Sequence, residues 1–356
     1  MTPRERAMAA LRHQVPDVIP AHVRNVVDWE PYAVHFGVTD WAELMDCLGE
    51  TIVSFIPAYT GTAPPLLPGE HSHGLPAIWG VPDDVAGTYS DSVPRPLANA
   101  TTIADVDAYA WPLASESAWD FAEMRERLLS DHVHARLSPT WMPVFSRLCE
   151  LFGMEQAMVN LYTNRPVIEA ALAHLDDFYT EFYRHMLGTC GDQLELFGIG
   201  DDFAGNERLL IRPDLWRALF KPLYAKWLGM AKASGLMTFM HSCGQVTEVL
   251  PDLIDSGLDV WQTVQTHLPG QGAAHIKAEF GRHLAFVGAI DTTNVLGSAG
   301  PDSVRAHVHE QILALGEGGG YVCGPDHTIM ENVPPENVAA MYEAIAEFSM
   351  AGYTLQ

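Results

Sequence analysis

Three residues have the types and the spacing of a metal site. His241 and Cys243 are separated by one residue, so on a β-strand both side chains project to the same side. Cys323 comes at the end of another predicted strand. One imidazole and two thiolates suit tetrahedral zinc, and three protein ligands leave a fourth position open for a substrate. The sequence therefore predicts a catalytic zinc site of His241, Cys243 and Cys323. The alternative is that the cysteines are small buried side chains of the core.

Carboxylate and amide side chains follow the predicted strands at further places. Asp201 and Asp202 end one strand, and Asp291 ends another. An aspartate there often caps the following helix, which is the alternative to a role in a site. Since two consecutive aspartates cannot both cap, Asp202 is predicted to be catalytic. His267, beyond a strand end, is interpreted as a surface histidine. The residues predicted to bind substrate are Asp201, Gln265, Asp291 and Asp326.

The elements that must position these residues alternate between strands and helices. Five predicted strands are each followed by a helical segment, which is typical of a parallel sheet. These strands cover residues 193–200, 236–240, 258–264, 284–290 and 320–324. An open, doubly wound sheet is one solution. A (β/α)₈ barrel gathers its active site at the carboxyl ends of its strands, and the polar residues at these strand ends favour the barrel.

The chain is predicted to form a single barrel domain over residues 1–356. This length is common for a barrel that folds as one unit. Residues 1–115 are irregular and rich in proline, and they contain a predicted first strand at 17–23. We interpret them as an N-terminal elaboration, with the main barrel body over residues 116–356.

Composition excludes several classes of partner. The net charge of −25 comes from 20 Lys and Arg residues against 45 Asp and Glu residues, which disfavours nucleic acid and anionic membranes as partners. No apolar run reaches membrane-spanning length, and the first 20 residues lack the apolar segment of a secretory signal. The five cysteines are scattered and odd in number, so a disulfide framework is not expected. We expect a cytoplasmic protein.

Four stretches of the chain resemble the uroporphyrinogen decarboxylase superfamily, and within it the branch of zinc-dependent corrinoid or thiol methyltransferases. They are residues 1–20, 199–265, 284–296 and 319–345. The resemblance implies a (β/α)₈ barrel, zinc ligands at His241, Cys243 and Cys323, and a methyl donor that is often methylcobalamin. The spacing from His327 to the Pro-Pro-Glu-Asn-Val motif is similar to that of a decarboxylase pocket histidine. His327 is therefore predicted to be a second catalytic residue.

Three functions remain open on this resemblance. The leading one is methyl transfer to or from a small acceptor such as a thiol, using zinc. A metal-independent decarboxylase is the second, although the Met-Arg-Gln-Ala-Gly-Arg signature of true decarboxylases is absent and only Arg24 remains in that region. A non-enzymatic barrel stabilised by zinc is the third. None of the 16 histidines lies in an Asp-x-His-x-x-Gly motif, so we expect any corrinoid to be supplied by a partner protein.

Overall fold

The structure is a computed structural model that describes residues 1–62, 76–79 and 95–348. The strands are β1 Ile52–Ser54, β2 Ala58–Tyr59, β3 Trp119–Asp120, β4 Ala135–Leu137, β5 Leu196–Gly200, β6 Met237–His241, β7 Val260–Val264, β8 Ala285–Ile290 and β9 Tyr321–Pro325. The α-helices are α1 Pro3–Leu11, α2 Glu30–Phe36, α3 Trp41–Leu48, α4 Ile103–Asp107, α5 Phe121–Ser130, α6 Phe145–Phe152, α7 Met154–Thr163, α8 Arg165–Cys190, α9 Pro213–Leu219, α10 Lys221–Ala233, α11 Leu250–Asp255, α12 Ala273–Phe280, α13 Pro301–Leu315 and α14 Pro335–Glu347. Short 3₁₀ turns cover Pro76–Trp79, Glu116–Ala118 and Gly191–Gln193, and Thr292–Leu296 is a π-helical turn. Over the described ranges, no helix has both the length and the apolar character needed to cross a membrane.

Seven strands form one parallel sheet in the order β1-β4-β5-β6-β7-β8-β9. Apart from β2 and β3, which pair with each other, neighbours in the sheet are also consecutive along the chain. Helices occupy the crossovers between them, as parallel pairing requires. The predicted alternation is therefore confirmed as a parallel α/β fold. Strand β1 was not predicted.

The two edges of this curled sheet meet at a single residue. Ala21 forms one parallel bridge with Glu50, next to β1, and another with Cys323 in β9. The Thr51 N–H donates to the Ala21 carbonyl at 3.1 Å, and the His22 N–H donates to the Cys323 carbonyl at 2.9 Å. The predicted first strand at 17–23 is thus reduced to isolated bridges at Val18 and Ala21. The arrangement is consistent with a (β/α)₈ barrel whose seam is short.

Side-chain alternation divides the core into two apolar layers. In β6, Phe239 packs in the inner cluster and Met240 in the outer one, and Val260 and Trp261 of β7 repeat the pattern. Helix α1 contributes four side chains to the inner cluster, so it closes the amino-terminal end of the sheet. The inward side chains at the carboxyl ends of the strands therefore face an open mouth.

The helical segment that follows β5 is two helices in the structure. It divides at Phe220 between α9 and α10. Pro222 lies in the first turn of α10, where its missing N–H and its ring are tolerated, whereas both would break a continuous helix.

Candidate metal centre

Asp202, His241 and Cys243 come together after the carboxyl ends of β5 and β6. His241 Nε2 lies 3.5 Å from Cys243 Sγ and 3.6 Å from Asp202 Oδ1. The three donor atoms all lie within 4.8 Å of one another. Ligands that share a tetrahedral zinc ion at bond lengths of about 2.0–2.3 Å are separated by about 3.3–3.6 Å. One nitrogen, one sulfur and one oxygen atom are therefore spaced like three ligands of a single ion.

The turn after β6 is held by the loops on either side of it. The Cys243 N–H donates to Asp202 Oδ1 at 2.7 Å, and the Gly244 N–H donates to Gln265 Oε1 at 2.7 Å. Gly244 has a φ of +84°, and a Cβ there would lie 2.6 Å from the Ala204 carbonyl oxygen, so glycine is required. Gln265 was predicted to bind substrate. In the structure it positions the turn that carries Cys243.

A chain of buried hydrogen bonds fixes the tautomer of His241. Glu50 accepts hydrogen bonds from three backbone N–H groups, so its carboxylate acts only as an acceptor. His22 Nδ1, which lies 3.0 Å from it, is therefore the donor of that hydrogen bond. His22 Nε2 then accepts from the Gln262 amide at 3.0 Å, which turns Gln262 Oε1 toward His241 Nδ1 at 2.9 Å. His241 therefore donates through Nδ1 and keeps the Nε2 lone pair for the cluster. Metal-binding histidines are usually oriented in this way.

Burial sets the protonation states of the cluster. Burial and the positive charge of Arg24 hold the pKa of His241 well below its usual range, so its ring is neutral near neutral pH. Burial, reinforced by Asp202, raises the pKa of the Cys243 thiol to about 12. Burial also raises the pKa of Asp202. Without a cation the thiol keeps its proton, and a bound metal ion would displace that proton to gain a thiolate ligand.

Arg24 brings a positive charge to the point where the three donors converge. Its Nη2 lies 3.0 Å from His241 Nε2 and donates to that lone pair. Its charge also acts on the Cys243 thiol, where it lowers the pKa against the larger effect of burial. Its buried Nη1 has no hydrogen-bond partner among the described residues. Arg24 therefore places a positive charge beside the three donor atoms.

Cys323 does not join this cluster. Val322 packs in the inner apolar layer, whereas Tyr321 and Cys323 belong to the outer layer, because side chains alternate across a strand. The Cys323 thiol is fully buried, and this burial raises its pKa to about 12. The structure therefore does not bring the predicted set of His241, Cys243 and Cys323 together: the residue that lies beside His241 and Cys243 is Asp202.

Asp201 is a capping residue and does not face a substrate. Its fully buried carboxylate accepts the N–H groups of Val144, Phe145 and Ser146, at 2.8, 2.6 and 2.8 Å. These groups begin α6 and have no partner within that helix. The Tyr224 hydroxyl donates to the same carboxylate at 2.6 Å. Asp201 therefore caps a helix, which was the alternative to the predicted contact with a substrate. Asp201 follows β5, whereas the helix that it caps, α6, follows β4.

Asp291 and Asp326, also predicted to bind substrate, lie outside the three-donor cluster. Asp291 accepts two backbone N–H groups of the π-helical turn. Asp326 accepts from the N–H and the hydroxyl of Thr292. Both carboxylates contact His267, and neither lines the cavity described below. Asp291 and Asp326 therefore bind groups of the protein itself, and neither is placed to contact a substrate in that cavity.

A cavity of about 820 Å³ opens beside His241. This volume is within the range of small-molecule binding sites. Its polar walls include His22, Arg24, Glu50 and Gln262. Sequence analysis did not select His22, Glu50 or Gln262, although a glutamine within the apolar strand β7 was a usable signal. Burial and the positive charge of Arg24 lower the pKa of His327, which was predicted to be catalytic and does not line this cavity.

Comparison with known proteins places the chain in a family. Residues 143–348, more than half of the chain, match the family model for uroporphyrinogen decarboxylase (URO-D). No curated protein sequence matches it. Among solved structures it is similar to a methyltransferase from Methanosarcina mazei, with 19% identity over 98% of this chain and 99% of that chain and a TM-score of 0.65. A family 89 glycoside hydrolase from Clostridium perfringens in complex with PUGNAc is far less similar, with 9% identity over 51% and 20% of the two chains and a TM-score of 0.32. The predicted resemblance is thus confirmed at the level of the family: the chain belongs to the uroporphyrinogen decarboxylase family.

Proposed function

We propose that this protein is a zinc-dependent methyltransferase that moves a methyl group between a corrinoid, or another methyl donor, and a small acceptor such as a thiol. The observation that carries the proposal is the convergence of Asp202 Oδ1, His241 Nε2 and Cys243 Sγ at the mouth of the sheet. Three protein ligands leave one position of a tetrahedral ion for a substrate atom. The full-length similarity to a methyltransferase, at 19% identity, supports the same fold.

The residues of the chain have separable roles in this proposal. Asp202, His241 and Cys243 would hold the ion, which would supply Lewis acidity that lowers the pKa of a substrate thiol. Gln262 accepts from His241 Nδ1 and so leaves the Nε2 lone pair free for the ion. His327 directs Nδ1 at the Thr328 carbonyl, 3.3 Å away, which leaves Nε2 as an acceptor. Because burial and Arg24 lower its pKa, His327 is neutral and can take the proton that the thiol loses.

We also propose that any corrinoid is supplied by a partner protein that docks over the strand ends. His241, whose Nε2 belongs to the cluster at the strand ends, lines the cavity, and no histidine of the chain lies in an Asp-x-His-x-x-Gly motif. The net charge of −25 favours a partner whose docking surface is basic.

The proposal is tested by metal analysis followed by a methyl-transfer assay. We expect about one zinc ion per chain, and spectrophotometric demethylation of methylcob(III)alamin that requires both zinc and an added thiol. His241→Ala should lose both properties. His283→Ala, a change of the same type outside the cluster, should keep them. A zinc-free protein that transfers methyl groups as well as the zinc-loaded protein would refute the proposal.

Gln262→Leu should weaken zinc binding by about 10–100-fold while the protein stays folded. Leucine has a similar size, but it removes the acceptor that fixes the tautomer of His241, and changes at such outer positions cost this much in metal affinity. Competition with a chromophoric chelator measures the effect. Gln156→Leu, an exposed change on α7, is the matched control. Equal zinc affinity in Gln262→Leu and the control would show that the hydrogen-bond chain does not orient His241.

A metal-independent decarboxylase is the second candidate, because Arg24 has an unpartnered Nη1 beside the cavity. A guanidinium group in this position suits a substrate carboxylate. Asp202 and His327 would then be the groups that exchange protons with the substrate. Carbon dioxide release from carboxylated substrates by chelator-treated protein, without zinc, would favour this candidate over the methyltransferase.

A further inference from the structure

A second group of potential ligands lies at the ends of three consecutive strands. His267 follows β7, Asp291 follows β8 and Asp326 follows β9. His267 Nδ1 lies 3.0 Å from Asp326 Oδ2 and 3.6 Å from Asp291 Oδ2. The donor atoms of the three residues all lie within 4.8 Å of one another. None of these residues belongs to the cluster of Asp202, His241 and Cys243.

In both carboxylates of this group, Oδ1 is held in place by two hydrogen bonds. Asp291 Oδ1 accepts the N–H groups of Thr293 and Asn294, and Asp326 Oδ1 accepts the N–H and the hydroxyl of Thr292. The Oδ2 atoms are thereby turned toward His267. Asp291 Oδ2 also accepts from the Asn294 amide at 2.8 Å. Hydrogen bonds of this kind favour the ionised carboxylate and orient it, as the outer contacts of a metal site do.

One oxygen of the group lacks a hydrogen bond. Asp326 is fully buried, and its Oδ2 has no hydrogen-bond partner in the described part of the chain. His267 Nδ1 is at contact distance from it, but the two atoms are not aligned as N–H···O. A buried carboxylate oxygen without a donor is costly. His267 Nδ1 and Asp326 Oδ2 are therefore in contact without forming a hydrogen bond. Two ligands of one metal ion are arranged in this way, because each is directed at the ion.

We propose that His267, Asp291 and Asp326 bind a second divalent transition-metal cation. Ligands about 2.1 Å from a metal ion are about 3.0 Å apart in octahedral and about 3.4 Å apart in tetrahedral geometry, and the observed separations are 3.0 and 3.6 Å. When His267 is a ligand its imidazole is neutral, so the two carboxylates leave two negative charges that a divalent ion balances. Since the His267 side chain is 25% exposed, ions can enter and water can complete the coordination. The donor set, without sulfur, suits Mn²⁺, Fe²⁺ or Zn²⁺.

The test is a titration of chelator-stripped, full-length protein with Mn²⁺, in which electron paramagnetic resonance measures free Mn²⁺. Mn²⁺ is the probe because it prefers carboxylate to thiolate. Wild-type protein and Cys243→Ser should each bind one Mn²⁺ per chain with equal affinity. His267→Ala and Asp326→Asn should each weaken binding by at least about tenfold. His275→Ala, an exposed histidine paired with Glu279, should not change it.

Three outcomes would contradict the proposal. Absence of Mn²⁺ binding by the wild type would leave His267 as an ion-pair partner of the two carboxylates and would overturn the second site. Equal Mn²⁺ affinity in wild type and His267→Ala would overturn it as well, because His267 is partly exposed and its removal should not disturb folding. Loss of binding in Cys243→Ser but not in His267→Ala would assign the ion to the first cluster. None of these results depends on methyl transfer.

Discussion

Replacing Cys243 by Ala is expected to reduce the zinc content from about one ion per chain to nearly none, whereas Cys323→Ala should leave it unchanged. Cys243 Sγ lies 3.5 Å from His241 Nε2, while Cys323 packs in the outer apolar layer with Tyr321. Changes outside the ligand shell already weaken metal binding by about 10–100-fold, so loss of a thiolate ligand should cost at least about 100-fold.

The pair of cysteine variants is measured by elemental analysis and by competition with a chelator at equal protein concentration. Cys323→Ala is the control because it also removes a thiol, one that is fully buried on the other side of the strand layer. Circular dichroism verifies that both variants fold. Zinc loss in folded Cys323→Ala as well as in Cys243→Ala would contradict the observed donor set and would restore the set that the sequence indicated.

Asp201→Asn is expected to lower the free energy of unfolding by about 3 kcal/mol. The carboxylate of Asp201 accepts three N–H groups at the start of α6 and the hydroxyl of Tyr224. An asparagine amide can replace only one oxygen as acceptor, so at least one buried donor loses its partner, at about 1–3 kcal/mol. Loss of the negative charge at the amino terminus of α6 adds about 0.3–1 kcal/mol.

Urea denaturation monitored by tryptophan fluorescence measures the cost of Asp201→Asn. Asp214→Asn is the control, because Asp214 also lies in the first turn of a helix, α9, but is exposed and should change stability by less than about 0.5 kcal/mol. Folded Asp201→Asn should retain its zinc. Unchanged stability together with weaker substrate binding would return Asp201 to the role that the sequence indicated.

Much of the fold could be predicted because its signals are local. A parallel strand buried on both faces is a short apolar run, and residues 196–200, 237–241 and 321–325 all show this pattern. The polar residues after these runs mark the carboxyl ends of the strands. The same local signals identified His241, Cys243 and Asp202, because all three follow directly from strand ends.

The remaining features of the site could not be predicted, because they depend on contacts between segments and the pattern of one strand does not indicate its neighbours. Whether Cys323 faces the mouth or the helices depends on the register of β9, and a shift by one residue reverses the answer. The roles of His22, Glu50 and Gln262 depend on hydrogen bonds between segments that are distant in sequence. The partners of Asp201 likewise come from α6 and α10.

The short seam at Ala21 has a consequence for the motions of the native protein. Local opening costs less where fewer hydrogen bonds and buried contacts are broken, and the segment around Ala21 is joined to the sheet edges by isolated bridges, whereas β5 to β9 form continuous ladders. His22 and Arg24 follow on the same segment. An opening at the seam would therefore move His22, with its hydrogen bond to Gln262, and the guanidinium group of Arg24 away from His241 together. Strands β6 and β7 would stay paired. In hydrogen–deuterium exchange, the amides of His22 and Thr51 should exchange before those of the central strands, so access to the cluster is governed by a local fluctuation and not by global unfolding.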